Sequence, residues 1–328
     1  MSSTDIKNPV KEIILGGGVI ALLFLGTSIF PFVGAFFSLF IPIPIMVYYG
    51  RLGRIQGRMV AILAVLMAYF VAAVLRYPLN SIVIIQFALL GAIMAEVIAR
   101  DFSVEKSIIV PSFSLFAVTL VLILLQAIAN HSAPSAVIYK YFNETLNDTL
   151  SIYQGLGIPD EQVKKIEESA GVVIAVFTRI APALFLCITA LIVWINLIAS
   201  KKIFQRWGLI FPNFGDLTRW RSPEHLVWLL IGCGGAMLIP VEALRTVSIN
   251  GLLIMLLVYF FQGIAIVAYF FKAYSVPSVI RIIGYVLISI QQLMLVLVVV
   301  VGLFDLWFDF RKITPGRSKK AGSLENGG

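Results

Sequence analysis

Of the 328 residues, 60% are hydrophobic and 13% charged, and the mean hydropathy is +0.98. Soluble domains run at about 45–50% apolar and about 25% charged, so the composition excludes a soluble fold and specifies a polytopic integral membrane protein. The net charge of +8 is then expected on loops beside anionic lipid, with no nucleic acid as partner.

A helix needs about 20 apolar residues to cross about 30 Å of hydrocarbon. Runs approaching that length occupy 12–29, 31–49, 59–76, 79–99, 107–129, 171–199, 225–240, 247–271 and 278–309. They predict an all-α fold, a transmembrane helical bundle of about nine spans (eight to ten). The first run is not read as a cleavable signal, because a second follows almost at once and no small-residue cleavage site lies in a polar setting. In the second, Ile41-Pro42-Ile43-Pro44 must break or kink the helix, since proline removes a helical hydrogen bond.

The segment 130–169 carries Val137, Tyr141, Leu146, Leu150 and Tyr153 near helical spacing. Gly155-Leu156-Gly157 interrupts the pattern, and Asp160 opens a second, shorter amphipathic piece ending near Ser169. A helical hairpin on the outer face is the reading. The last run is long for one span at 1.5 Å per residue. It either turns back at Gln291-Gln292, giving ten crossings, or lays Ile280–Gly284 in the interface and leaves nine. The organisation expected is a six-span core over 1–200, a basic loop over 201–222, membrane helices over 223–312 and a disordered tail over 313–328.

Positive charge orients the chain. Arg51, Arg54 and Arg58 share one short loop, Arg100 and Lys106 another, and Lys201, Lys202, Arg206, Arg219 and Arg221 a third. The segment 130–169 carries Lys140, Lys164 and Lys165 against six carboxylates, Glu144, Asp148, Asp160, Glu161, Glu167 and Glu168. The basic loops and the N-terminus are therefore expected in the cytoplasm and 130–169 outside. Nine crossings would put the basic C-terminal stretch from Arg311 to Lys320 outside, so span length favours nine and charge favours ten.

No His-Glu-x-x-His, Gly-x-Ser-x-Gly, phosphate-binding glycine loop or Cys-x-x-Cys occurs, so no enzyme, cofactor or metal is expected. Cys187 and Cys233 lie inside apolar runs, and His131 and His225 are far apart. Gly17 and Ala21 form a small-xxx-small pair that lets another helix approach. Charges inside a span cost roughly 2.5–3.5 kcal/mol on insertion scales, which singles out two residues. Glu96 has Arg100 as its i, i+4 partner. Arg179 has no carboxylate within one helical turn, and either faces an external cavity or snorkels outward. If a ligand binds, Arg179 is its counter-charge, with Gln86, Gln126, Asn196 and Gln262 as further lining residues. The competing reading makes those amides interhelical hydrogen bonds, worth about 0.6 kcal/mol on average. Glu242 and Arg245 are expected to pair in a short external turn.

Two stretches carry a resemblance. The first five runs hold a glycine-bearing helix, Ile41-Pro42-Ile43-Pro44, Tyr49-Gly50-Arg51-Leu52-Gly53-Arg54, and a helix with Gly91, Glu96 and Arg100. The C-terminal part reads Phe261-Gln262-Gly263-Ile264-Ala265 and then Gly302-Leu303-Phe304-Asp305-Leu306-Trp307-Phe308-Asp309-Phe310-Arg311-Lys312. Both are similar to the YybS-like family of bacterial membrane proteins, which implies the inner membrane but no activity. The N-terminal six runs also resemble the S subunits of energy-coupling-factor vitamin transporters. That likeness implies small-molecule binding, Gly17 and Ala21 against a coupling subunit, and separate ATPase subunits. A membrane scaffold docking partners on its loops is the alternative.

Overall fold

The computed structural model describes residues 8–29, 31–76, 81–155 and 160–312. The expected disordered tail, 313–328, lies outside them, as do Leu156 and Gly157. The described residues form twelve α-helices and no strand: α1 (Pro9–Ile29), α2 (Pro31–Ser38), α3 (Pro42–Leu52), α4 (Arg54–Leu75), α5 (Ser81–Ile98), α6 (Val104–Ala129), α7 (Pro134–Gly155), α8 (Asp160–Arg206), α9 (Leu226–Ala236), α10 (Glu242–Ala273), α11 (Ser278–Ile290) and α12 (Gln292–Phe308).

Helices begin and end where local chemistry directs. The second apolar run breaks at Leu39-Phe40-Ile41, and Pro42 opens α3 at its first turn. There the missing N–H is one of the helix's unpaired donors in any case. Ser103 caps α6, its hydroxyl accepting from the Lys106 amide. The expected separate piece over 160–169 is instead the first part of α8, a helix of 47 residues. Nothing after Ser169 stops it, because a lone glycine, Gly171, costs a helix only about 1 kcal/mol. The last run breaks at Gln291, with α11 and α12 bent by 100° to each other. This is neither a closed hairpin nor one continuous helix.

Among the described residues, five helical segments are individually long and apolar enough to cross a membrane: Pro9–Thr27, Arg54–Leu75, Val104–Ala129, Ile166–Arg206 and Glu242–Ala273. The bent pair of α11 and α12 makes a sixth if it is one span, and Phe36–Leu52, Ile82–Ile98 and Leu226–Ala236 are shorter apolar helices. Apolar helix thus stands at all nine predicted runs, but length qualifies five or six of them, not nine. The 11 residues of α9 reach only about 16 Å, roughly half the hydrocarbon thickness.

The chain divides into two compact units, one of Met1–Tyr141 with Ile188–Phe214 and the other of Phe142–Cys187 with Gly215–Gly328. Helix α8 runs from the second into the first. In the first unit α1 lies on α4, where Ile20, Ala21 and Phe24 meet Val60, Ala61, Ala64 and Ala68 in a core completed by Ile41, Ile45, Ile84 and Ala88. Alanines on this face of α4 let the backbones approach, as small residues do where no water is available to drive association. The glycines serve the same purpose. A Cβ on Gly57 would lie 2.5 Å from Tyr49 Cα, and one on Gly91 would lie 2.9 Å from the Ile45 side chain.

In the second unit α10 packs on α12 and α9. Met255 and Tyr259 of α10 and Val299 of α12 form its core, with Leu226, Leu230 and Leu303 packed around them. A Cβ on Gly263 would overlap the Val298 carbonyl oxygen, and one on Gly302 would overlap that of Tyr259. The two backbones therefore touch at a glycine–glycine crossing. Phe142 of α7 and Phe177 of α8 meet with ring centroids 5.9 Å apart.

Candidate functional site

In the second unit the glycine crossing brings Gln262, one residue before Gly263, beside Asp305, three after Gly302. Both side chains are fully buried. Gln262 Nε2 donates to Asp305 Oδ2 at 3.1 Å, and Gln262 Oε1 accepts from the Ser222 amide at 3.2 Å and from the Ser222 hydroxyl.

Asp309 ends α12 in the left-handed region at φ 44°, a conformation that aspartate tolerates better than most side chains. That turn folds the chain back on itself. The Phe310 amide reaches Asp305 Oδ1 at 3.0 Å, and Arg311 donates to Asp305 Oδ2 at 2.8 Å. Arg311, only 3% exposed, also donates to the Thr218 and Trp220 carbonyls at 2.8 and 3.0 Å. Arg221 bonds Asp309 and lies 3.4 Å from Asp305.

Two carboxylates and two guanidiniums thus balance in a buried cluster that ties the segment 218–222 to α10 and to the end of α12. Each carboxylate is engaged by a guanidinium, so the cluster holds these segments together as a latch. On the solvent side Lys272 reaches Asp216 at 2.9 Å. That bond, with a second from Thr218, holds the Asp216 carboxyl at about 2, below its usual 3.8. The pair is intact above about pH 4 and is lost as the pH falls toward 2.

The first unit carries a second polar centre. Glu96, near the end of α5, accepts from the Tyr49 hydroxyl, from Arg58 at 3.4 Å and from Arg100 at 3.0 and 3.1 Å, with Arg54 at 3.8 Å. The expected Glu96–Arg100 pair is present, but as one contact of several. Nearby, Arg51 pairs with Glu12 at 3.3 Å and lies over the Trp207 ring at 4.7 Å.

The other candidates stand apart, each with its own surroundings. Gln86 donates to Thr119 at 3.1 Å, and Gln126 is exposed. Asn196 is fully buried and donates at 2.7 Å to both the Leu39 and Ile192 carbonyls. Arg179 meets Glu242, a carboxylate from α10, on an exposed surface. The expected Glu242–Arg245 pair is thus corrected: Glu242, on the first turn of α10, goes to Arg179, and Arg245 instead donates to the Ile239 carbonyl at 3.2 Å. Gly17 faces Leu63 of α4, with a Cβ there falling 3.1 Å from the side chain, and Ala21 lies in the same seam. Among the described residues no group of three or more His, Cys, Asp or Glu is placed to hold a metal ion.

The sequence reading placed Gln262 in the polar set but left out Asp305, Asp309, Arg311, Arg221 and Ser222. A signal was present for one of them. Asp305 is a carboxylate inside an apolar run, and such a residue calls for a buried partner. Its side-chain partners Gln262 and Arg221 lie 43 and 84 residues upstream and Arg311 six downstream, beyond any helical spacing rule.

A family described as "Predicted membrane protein (DUF2232)" matches residues 18–306 of the chain. An uncharacterized protein, YybS of Bacillus subtilis (strain 168), is 20% identical over 155 residues, which are 46% of this chain and 49% of that protein. The match therefore spans about half of that relative's length. No solved structure matches the chain.

Proposed function

The chain belongs to the DUF2232 family of membrane proteins, and on that premise we propose that it is a multi-pass scaffold of the bacterial inner membrane, not an enzyme. One observation carries this reading: the principal polar clusters close on themselves and on backbone. Gln262, Asp305 and Arg311 close on one another, and Glu96 is surrounded by Tyr49 and arginines. Groups that line a substrate path need free donors and acceptors facing a cavity. Charge asymmetry supports a cytoplasmic N-terminus with the basic loops inside and 130–169 outside.

A second reading makes the chain a small-molecule carrier working with coupling and ATPase subunits, as the resemblance expected from its first six apolar runs would imply. It is favoured by Asn196, whose Oδ1 is buried without a hydrogen-bond partner among the described residues.

Cysteine accessibility separates the two. In a chain with Cys187 and Cys233 replaced by serine, single cysteines go in at Asn196, Gln262 and Gln86 and meet a small, membrane-impermeant thiol reagent in membranes open on both sides. The scaffold reading expects Asn196 and Gln262 to stay unlabelled after the protein is shown to be folded. Labelling of Asn196 within minutes would mark a water-filled path and sink the scaffold reading.

A further inference from the structure

We propose that the arginines gathered around Glu96 form a binding site for the headgroup of an anionic phospholipid. The inference holds for scaffold and carrier alike, since it requires only that α4 crosses the membrane.

The geometry comes first. Arg54 and Arg58 occupy the first two turns of α4, an apolar span of 22 residues, and Arg100 follows the end of the neighbouring α5. All three therefore stand at one end of adjacent helices, at the level where a span meets headgroups. Glu96 draws them together while its own side chain stays 19% exposed, and their side chains remain 53%, 59% and 54% exposed. One carboxylate cannot neutralise three guanidiniums. Arg54, the most loosely held at 3.8 Å, keeps most of its donors for another anion. Guanidinium suits phosphate, because its planar fork matches two oxygens of the anion at once.

The surrounding field has the same sign. In this unit the stretches 11–12, 51–58, 96–106 and 201–206 hold nine lysines and arginines against four carboxylates. They share one end of the bundle, since Arg51 contacts Glu12 and Trp207, and Gly50 faces Phe204.

The apolar side of α4 argues for a lipid over a free anion. Ile55, Met59, Ile62, Leu66 and Phe70 are 51–71% exposed and follow one another at three- and four-residue spacing. They make a continuous apolar stripe descending from the arginines. A phosphodiester held by Arg54 and Arg58 places its acyl chains along that stripe, and inorganic phosphate has nothing to set there.

The test uses the full-length chain, purified and delipidated in a neutral detergent. Binding of phosphatidylglycerol, phosphatidylcholine and inorganic phosphate is read by native mass spectrometry and by the shift in thermal unfolding. Phosphatidylglycerol should bind and stabilise, with the other two doing neither. R54Q/R58Q, which leaves Arg100 to pair with Glu96, should weaken phosphatidylglycerol binding roughly fivefold per arginine. If that variant does not fold, R54Q alone removes the loosest guanidinium and should still weaken binding. K201Q/K202Q lowers the charge of the same end without touching Glu96 and should bind nearly as wild type. Equal loss in K201Q/K202Q would mean a diffuse surface effect, and equal stabilisation by phosphate a free-anion site. Either result, or binding unchanged in R54Q/R58Q, overturns the proposal.

Discussion

The buried ion cluster depends on Asp305 most of all. It is fully buried, and Arg311, Gln262 and the Phe310 amide all converge on it. Buried charges stabilise only when fully paired, and removing one partner costs about 3–5 kcal/mol because the other is left uncompensated. Asp305→Asn should therefore lower the unfolding midpoint sharply in detergent. Arg311→Met should do the same, and the double variant should lose much less than the sum. Purely additive losses in that double-mutant cycle would show that the two side chains do not act as a pair. The Arg179–Glu242 pair is the contrast: it is exposed, and surface pairs contribute about 0–1 kcal/mol.

Helices meet here through small residues and through polar side chains that bond a neighbouring helix's backbone. Within α8, Pro182 has no N–H to donate to the Thr178 carbonyl, and Arg179 and Ala183 lie at the next i, i+4 position. Asn250 of α10 engages both, accepting from the Ala183 amide at 2.9 Å and donating to the Arg179 carbonyl at 2.9 Å. A side-chain amide from α10 is thus bonded to the backbone of α8 one residue beyond its proline.

The α10–α12 crossing depends instead on absent side chains. Gly302→Ala puts a methyl group into the Tyr259 carbonyl, and moving helical backbone to make room should cost about 1–3 kcal/mol or more. Gly232→Ala is the control, since a Cβ there meets nothing within 4 Å and alanine favours helix. Equal thermal stability of the two variants would contradict the close crossing.

For the whole molecule, charge asymmetry predicts which side each loop faces. The loop 201–221 is strongly basic and 130–169 is acidic, and the positive-inside rule counts such loops. A cysteine introduced at Asn147 should react with an impermeant thiol reagent in intact cells, and one at Gln205 only after the membrane is opened. The reverse pattern would invert the orientation and place the arginines around Glu96 against the outer leaflet.

The sequence by itself determined that the chain is a helical membrane protein, because composition and the length of apolar runs report directly on the solvent a segment needs. It also located the break before Pro42 and the amphipathic helix that became α7, since these follow from local backbone chemistry, whereas for the last run it left a turn at Gln291-Gln292 and one continuous helix as alternatives. It marked Glu96 with Arg100, a pair within one helical turn. Tertiary structure alone decided that Glu96 gathers Tyr49, Arg54 and Arg58, that Arg179 goes to Glu242, and that Gln262 closes on Asp305 and Ser222. It also set the 100° bend between α11 and α12 and fused residues 160–169 to a span. These contacts join residues tens of positions apart. Periodicity tells which face of a helix is apolar, but the neighbour of a polar side chain is set by which helices cross, and at what depth.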